Sequence, residues 1–158
     1  MAERAFPARW RTVAVIAGGL FAVNLVARLV VRLWYADDGL AADAVTLSML
    51  AAVGLACLGL AAWWSRYRPV GAWAADLALA SGGALLLAVL VGPFASGAGP
   101  FTYGAGEFFK QIWQWGGVSI VGALIGLGAV TALGLDARSR GLRRYAEAKR
   151  AEARLPRS

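Results

Sequence analysis

Residues 12–35 read TVAVIAGGLFAVNLVARLVVRLWY, and this stretch decides the fold. It carries no charge before Arg28, closes on the aromatic pair Trp34 and Tyr35, and follows the basic residues Arg4, Arg9 and Arg11. About 20 helical residues cross the hydrocarbon of a bilayer, so the run is long enough to span one. Three further apolar runs, near 41–63, 71–93 and 112–135, repeat that length. Backbone groups in lipid must bond internally, and none of the runs alternates apolar and polar residues as barrel strands do. The expected fold is therefore all-α: a polytopic four-transmembrane-helix bundle over residues 1–135, followed by a basic tail at 136–158 that forms a cytoplasmic helix.

Composition points the same way, because 59% of the 158 residues are hydrophobic, against roughly 45–50% in a soluble domain. In water, four uncovered helices of this kind would leave an apolar surface that monomeric soluble proteins do not tolerate. The formal charge of +7 raises nucleic acid as a partner, but its distribution argues against it. Of the sixteen Lys and Arg, all except Arg28, Arg32 and Lys110 lie in the N-terminal segment, the 65–69 turn or the tail. Basic residues are retained on the cytoplasmic side during insertion, so both termini and that turn are expected inside. The first loop, with Asp37, Asp38 and Asp43, and a long third loop from Phe94 to Gln111 are expected outside. The first run is too long for a cleaved leader and reads as a retained helix. The bias toward Ala, Gly, Leu and Arg, with only two lysines, points to a GC-rich bacterial genome and hence to a bacterial inner membrane.

Several chemistries are disfavoured by what the chain lacks. It has no histidine, and Cys57 is its single cysteine. Histidine-based catalysis, haem, copper and most zinc sites need the first, and thiol pairs need a second cysteine. No catalytic, cofactor or metal site is expected, and the chain is not expected to be an enzyme.

Small residues at helical spacing mark packing faces. The third run carries Ala72, Asp76, Ala80, Ala84, Ala88 and Gly92, the fourth the pair Gly122 and Gly126, and the second Ser48, Ala52 and Ala56. Such stripes let backbones approach closely where no hydrophobic force drives helices together.

Charges inside apolar runs are candidate functional residues. Asn24, Arg28 and Arg32 share a face of the first run. Counting ~1.5 Å per residue from Thr12 places Arg28 about 24 Å and Arg32 about 30 Å across. Both are expected to snorkel outward to Asp37, Asp38 and Asp43. The alternative is an anion site for a lipid phosphate or a partner's carboxylate, because guanidinium groups suit planar oxyanions. Asn24 is expected to bond across helices, and Thr46 and Ser48 to face this stripe. Asp76 sits about 8 Å from the inner surface, too far from Arg28 to pair with it. Its expected partners are Arg11, Arg66 or Arg68, the alternative being that desolvation keeps it protonated.

The third loop is read as a flexible segment and a short interfacial helix leading into the fourth span. Its aromatic residues Phe101, Tyr103, Phe108, Phe109, Trp113 and Trp115 are expected to contact a partner or lipid. In the tail, Glu147 is expected to pair with Arg143 and Arg150, and the basic residues offer attachment to anionic lipids. Together these features suggest an accessory or assembly subunit packed against larger membrane proteins. A homo-oligomeric small transporter or channel using Asp76 with Arg28 and Arg32 is the alternative, and a lipid-binding envelope protein the third.

Overall fold

The computed structural model describes residues 5–154, with side chains over 8–150. Arg4 and Arg157 lie outside the described residues. The chain forms α1 (Ala5–Trp34), α2 (Gly39–Ser65), α3 (Val70–Leu90), the one-turn α4 (Gly92–Ala95), α5 (Gly104–Ala132) and α6 (Ala137–Arg154), with no strand among the described residues. Four of these helices, α1, α2, α3 and α5, are long and apolar enough to cross a membrane. Even α3, the shortest at 21 residues, extends about 32 Å at ~1.5 Å per residue, which matches a hydrocarbon thickness of ~30 Å.

Local chemistry sets the helix ends. Asp38 is extended and accepts a hydrogen bond from the Ala41 amide at 3.0 Å, capping the start of α2. At the other end of α2, Trp64 O accepts from the amides of Tyr67 (3.0 Å) and Arg68 (2.8 Å), and Pro69 then opens α3. α3 stops at Leu90 instead of running to residue 93, because Pro93 has no amide to continue the ladder and starts α4 instead. α5 closes in a Schellman motif, with Leu135 N bonded to Val130 O at 3.0 Å and Gly134 N to Thr131 O at 2.9 Å. Asp136 Oδ2 then accepts from the Ser139 amide at 3.2 Å and caps α6.

Two helix starts differ from the sequence expectation. α1 begins at Ala5, ahead of the apolar run that starts at residue 12, and it takes in Pro7, whose missing amide hydrogen is harmless in a first turn. α5 begins at Gly104, so the aromatic segment expected as a separate interfacial helix forms its first turns. The long third loop shortens accordingly to the segment 96–103.

The bundle has a basic end, where Arg9, Arg66, Arg68 and α6 gather, and a far end carrying Asp37, Asp43 and the 96–103 segment. The closest partners are not sequence neighbours: α2 packs most extensively on α5, and α1 on α3. The reason is visible at Gly122 and Gly126. A Cβ on either would fall onto the backbone carbonyl oxygen of Gly54 or Leu58 respectively, so only glycine admits this approach of α5 to α2. On α3, Ala80, Ala84 and Ala88 are buried in the same manner. The stripe expected on α2 is displaced: Ser48 and Ala52 are exposed, and the inward face runs through Leu50, Val53, Cys57 and Ala61. The core is small-residue and shallow, centred on Leu20, Val53, Cys57, Trp73, Leu77 and Trp115. Large apolar side chains such as Leu55, Leu86, Ile120 and Leu124 point outward. Such a surface is compatible with a bilayer and is larger than soluble monomers expose to water.

Candidate functional site

Helix periodicity puts Asn24, Arg28 and Arg32 on one face of α1, and the break at Pro93 gives that face something to bind. Asn24 is buried; its Nδ2 donates to Met49 Sδ at 3.0 Å and its Oδ1 accepts from Arg28 Nε at 3.0 Å. Arg28 Nη2 donates to Ala88 O at 3.3 Å and to Gln111 Oε1 at 3.0 Å. Arg32 Nη1 donates to Ala95 O at 2.6 Å. The two arginines thus cap the carboxyl ends of α3 and α4, where carbonyls lack helical partners and carry partial negative charge. Gly92 makes room for this, since a Cβ there would lie 2.9 Å from Arg28 Nε and 3.1 Å from Asn24 Oδ1.

This arrangement corrects the expected one. Arg28 does not snorkel outward to Asp37, Asp38 or Asp43; it points back along α1 toward Asn24. Helical side chains lean toward the helix N-terminus, which for α1 is the basic end, and neutral acceptors are waiting there. Asp38 is in any case engaged as the cap of α2.

A cavity of about 690 Å³ opens beside Arg28 between α1, α2, α3 and α5. Its polar wall includes Arg28, Arg32, Thr46, Tyr103, Gln111 and Gln114, and its apolar wall Val31, Leu47, Leu50, Leu85 and Val89. Asp43, Glu107 and Lys110 also line it, and Lys110 pairs with Glu107 at 3.0 Å. Ser48, exposed and bonded to its own helix, takes no part.

Asp76 forms a second, separate cluster at the basic end. Its Oδ1 accepts from Arg9 Nε at 2.6 Å and its Oδ2 from Arg68 Nη2 at 2.9 Å. Of the expected partners only Arg68 engages it; Arg11 and Arg66 do not, and Arg9 takes their place. Positions 9 and 11 differ by about 200° around a helix, so only one of them can face α3. Arg28 binds at Ala88, which lies about 18 Å along α3 from Asp76.

The aromatic residues divide. Phe101, Tyr103, Phe109 and Trp113 are exposed, at 63%, 73%, 65% and 81%. Phe108 is half-buried between two of them, stacked on Phe101 at 4.8 Å and edge-on to Phe109 at 5.6 Å. Trp115, by contrast, is buried in the core instead of offering an outer contact. Its Nε1 donates to Ser81 Oγ at 3.2 Å, and Ser81 Oγ to Ser119 Oγ at 2.9 Å. This buried chain joins α3 to α5 for a gain on the order of 1 kcal/mol per bond.

α6 keeps to the surface of the basic end. Arg140 lies over the Tyr67 ring at 5.7 Å, while the expected ion pairs of Glu147 with Arg143 and Arg150 do not form.

Sequence reasoning missed Gln111, the helix break at Gly92, a residue it gave only as a packing position, and Arg9 as a partner of Asp76. Signals existed for the first two: Gln111 and Gln114 are polar positions beside an apolar run, and Gly92-Pro93 marks a helix break at the depth of Arg28. No family model, no curated protein and no solved structure matches this chain.

Proposed function

We propose that the chain is a small non-catalytic integral membrane protein that serves as an accessory or assembly subunit, packing at its far end against a larger membrane protein. The observation that carries this is the aromatic ledge between residues 101 and 113, where four rings are more than half exposed while Phe108 locks two of them in place. Preorganised aromatic side chains are the usual anchors of protein interfaces, because they bury much area for little conformational entropy. Two further points support it. The chain has no histidine. Its buried carboxylate, Asp76, is engaged on both oxygens by arginines and has no second carboxylate beside it among the described residues.

The transporter alternative draws less support. Asp76 is neutralised locally, and its separation from Arg28 leaves no continuous charged path between them. A bacterial inner membrane, with the basic end in the cytoplasm, is the setting that the charge distribution favours.

A photoreactive residue in place of Trp113, in the full chain in its native membrane, tests the docking claim. The expected result is a discrete crosslink to a second integral membrane protein that co-purifies in fixed ratio and is reduced about tenfold by Phe109→Ala. Crosslinks only to lipid, or only to another copy of this chain, would contradict it.

A further inference from the structure

We propose that the cavity beside Arg28 holds the oxyanion head of an anionic lipid, with Arg28 Nη1 on the anion and the lipid's apolar part against Val31, Leu47, Leu50 and Leu85. The starting point is a charge imbalance. Asp76 has two arginines for one carboxylate, whereas Arg28 has only neutral acceptors: Asn24 Oδ1, Ala88 O and Gln111 Oε1. A guanidinium offers five donors. Here Nε and Nη2 are used, and both hydrogens of Nη1 have no protein acceptor among the described residues. The carboxyl end of α3 supplies only about half an elementary charge, so the site remains cationic.

The carboxylates lining the cavity do not resolve this. Glu107 is paired with Lys110. Asp43 stands six positions before Met49 on α2, and Met49 is the residue level with Asn24; this places Asp43 about 9 Å nearer the far end. Arg28 points away from it.

Capping of α3 explains one of the hydrogen bonds of Arg28 but not the space beside it. A cavity of about 690 Å³ falls within the range of ligand sites, ~300–1,000 Å³. One wall is polar and the other apolar, which suits an amphiphile better than a bare anion. The site stands whether or not the chain also docks to a partner.

The test uses the purified full chain in non-ionic detergent, with bound mass and affinity read by native mass spectrometry. The probes are phosphatidylglycerol, phosphatidylcholine and inorganic phosphate. The expected result is one phosphatidylglycerol per chain, held at least tenfold more tightly than phosphatidylcholine. Arg28→Gln lowers that affinity tenfold or more, and Arg144→Gln on α6 leaves it unchanged. Val31→Trp fills the cavity without removing the guanidinium; it abolishes binding at an unchanged melting temperature and carries the test if Arg28→Gln fails to fold. Equal retention in Arg28→Gln or Val31→Trp overturns the proposal, as does equal affinity for phosphatidylcholine. Inorganic phosphate binding as tightly as the lipid would assign the site to a free anion. Loss of the Trp113-position crosslink in Arg28→Gln, with lipid binding intact, would assign it to a partner's carboxylate and leave the docking claim standing.

Discussion

Asp76 and Arg28 are both charges set in apolar helices, and the fold accommodates them by opposite means. The carboxylate is neutralised by Arg9 and Arg68; the guanidinium is solvated by an amide, a second amide and an orphan carbonyl. Removing one partner of a fully buried pair costs ~3–5 kcal/mol. Here the arginine side chains are 46% and 38% exposed and can turn to water. Asp76→Asn is therefore expected to destabilise the bundle by only about 1–2 kcal/mol, measured by reversible unfolding in mixed micelles. An unchanged midpoint would show that the two ion pairs contribute nothing. Depth arithmetic on the sequence separates the two charges correctly, because rise per residue is a property of any helix. It does not give azimuth, which selects Arg9 over Arg11. Nor does it give the direction of a side chain, which turns Arg28 inward.

At the scale of elements, the contact of α5 with α2 rests on two glycines whose missing side chains are replaced by the backbone of the neighbouring helix. Gly122→Val or Gly126→Val is expected to separate the helices and cost at least 2 kcal/mol or so, a typical penalty for overpacking. Gly128→Ala, where nothing lies within 4 Å of the added carbon, is expected to be neutral in the same unfolding assay. The pair on α5 is legible in the sequence because small residues recur there at helical spacing beside larger ones. The matching face of α2 is not, because a helix that is apolar all round has a period but no phase. The run Ser48, Ala52, Ala56 has the right spacing, yet Ser48 and Ala52 face outward and only Ala56 packs against the core. The break at Pro93 is likewise written in the sequence, whereas its consequence, a pair of carbonyl-bearing helix ends for Arg28 and Arg32, exists only once α1 lies against α3.

For the whole molecule, the four apolar helices are legible from run length alone, since a bilayer imposes that length on any helix crossing it. The pairing of α2 with α5 and of α1 with α3 is not, because lipid-facing and helix-facing surfaces are both apolar and run length does not tell one from the other. The cavity is a product of that pairing. Asn24, Thr46 and Gln111 come from α1, α2 and α5 and become one wall only in the assembled bundle. This wall lies at the end of the bundle opposite the basic residues, and single cysteines in a Cys57→Ala background report on which side of the membrane it opens. Thr46→Cys lines the cavity, and Tyr67→Cys sits exposed at the basic end. In right-side-out membrane vesicles, a membrane-impermeant maleimide is expected to label Thr46→Cys at once and Tyr67→Cys only after permeabilisation. Labelling of Tyr67→Cys in sealed vesicles, with Thr46→Cys protected, would contradict the cytoplasmic placement of the basic end.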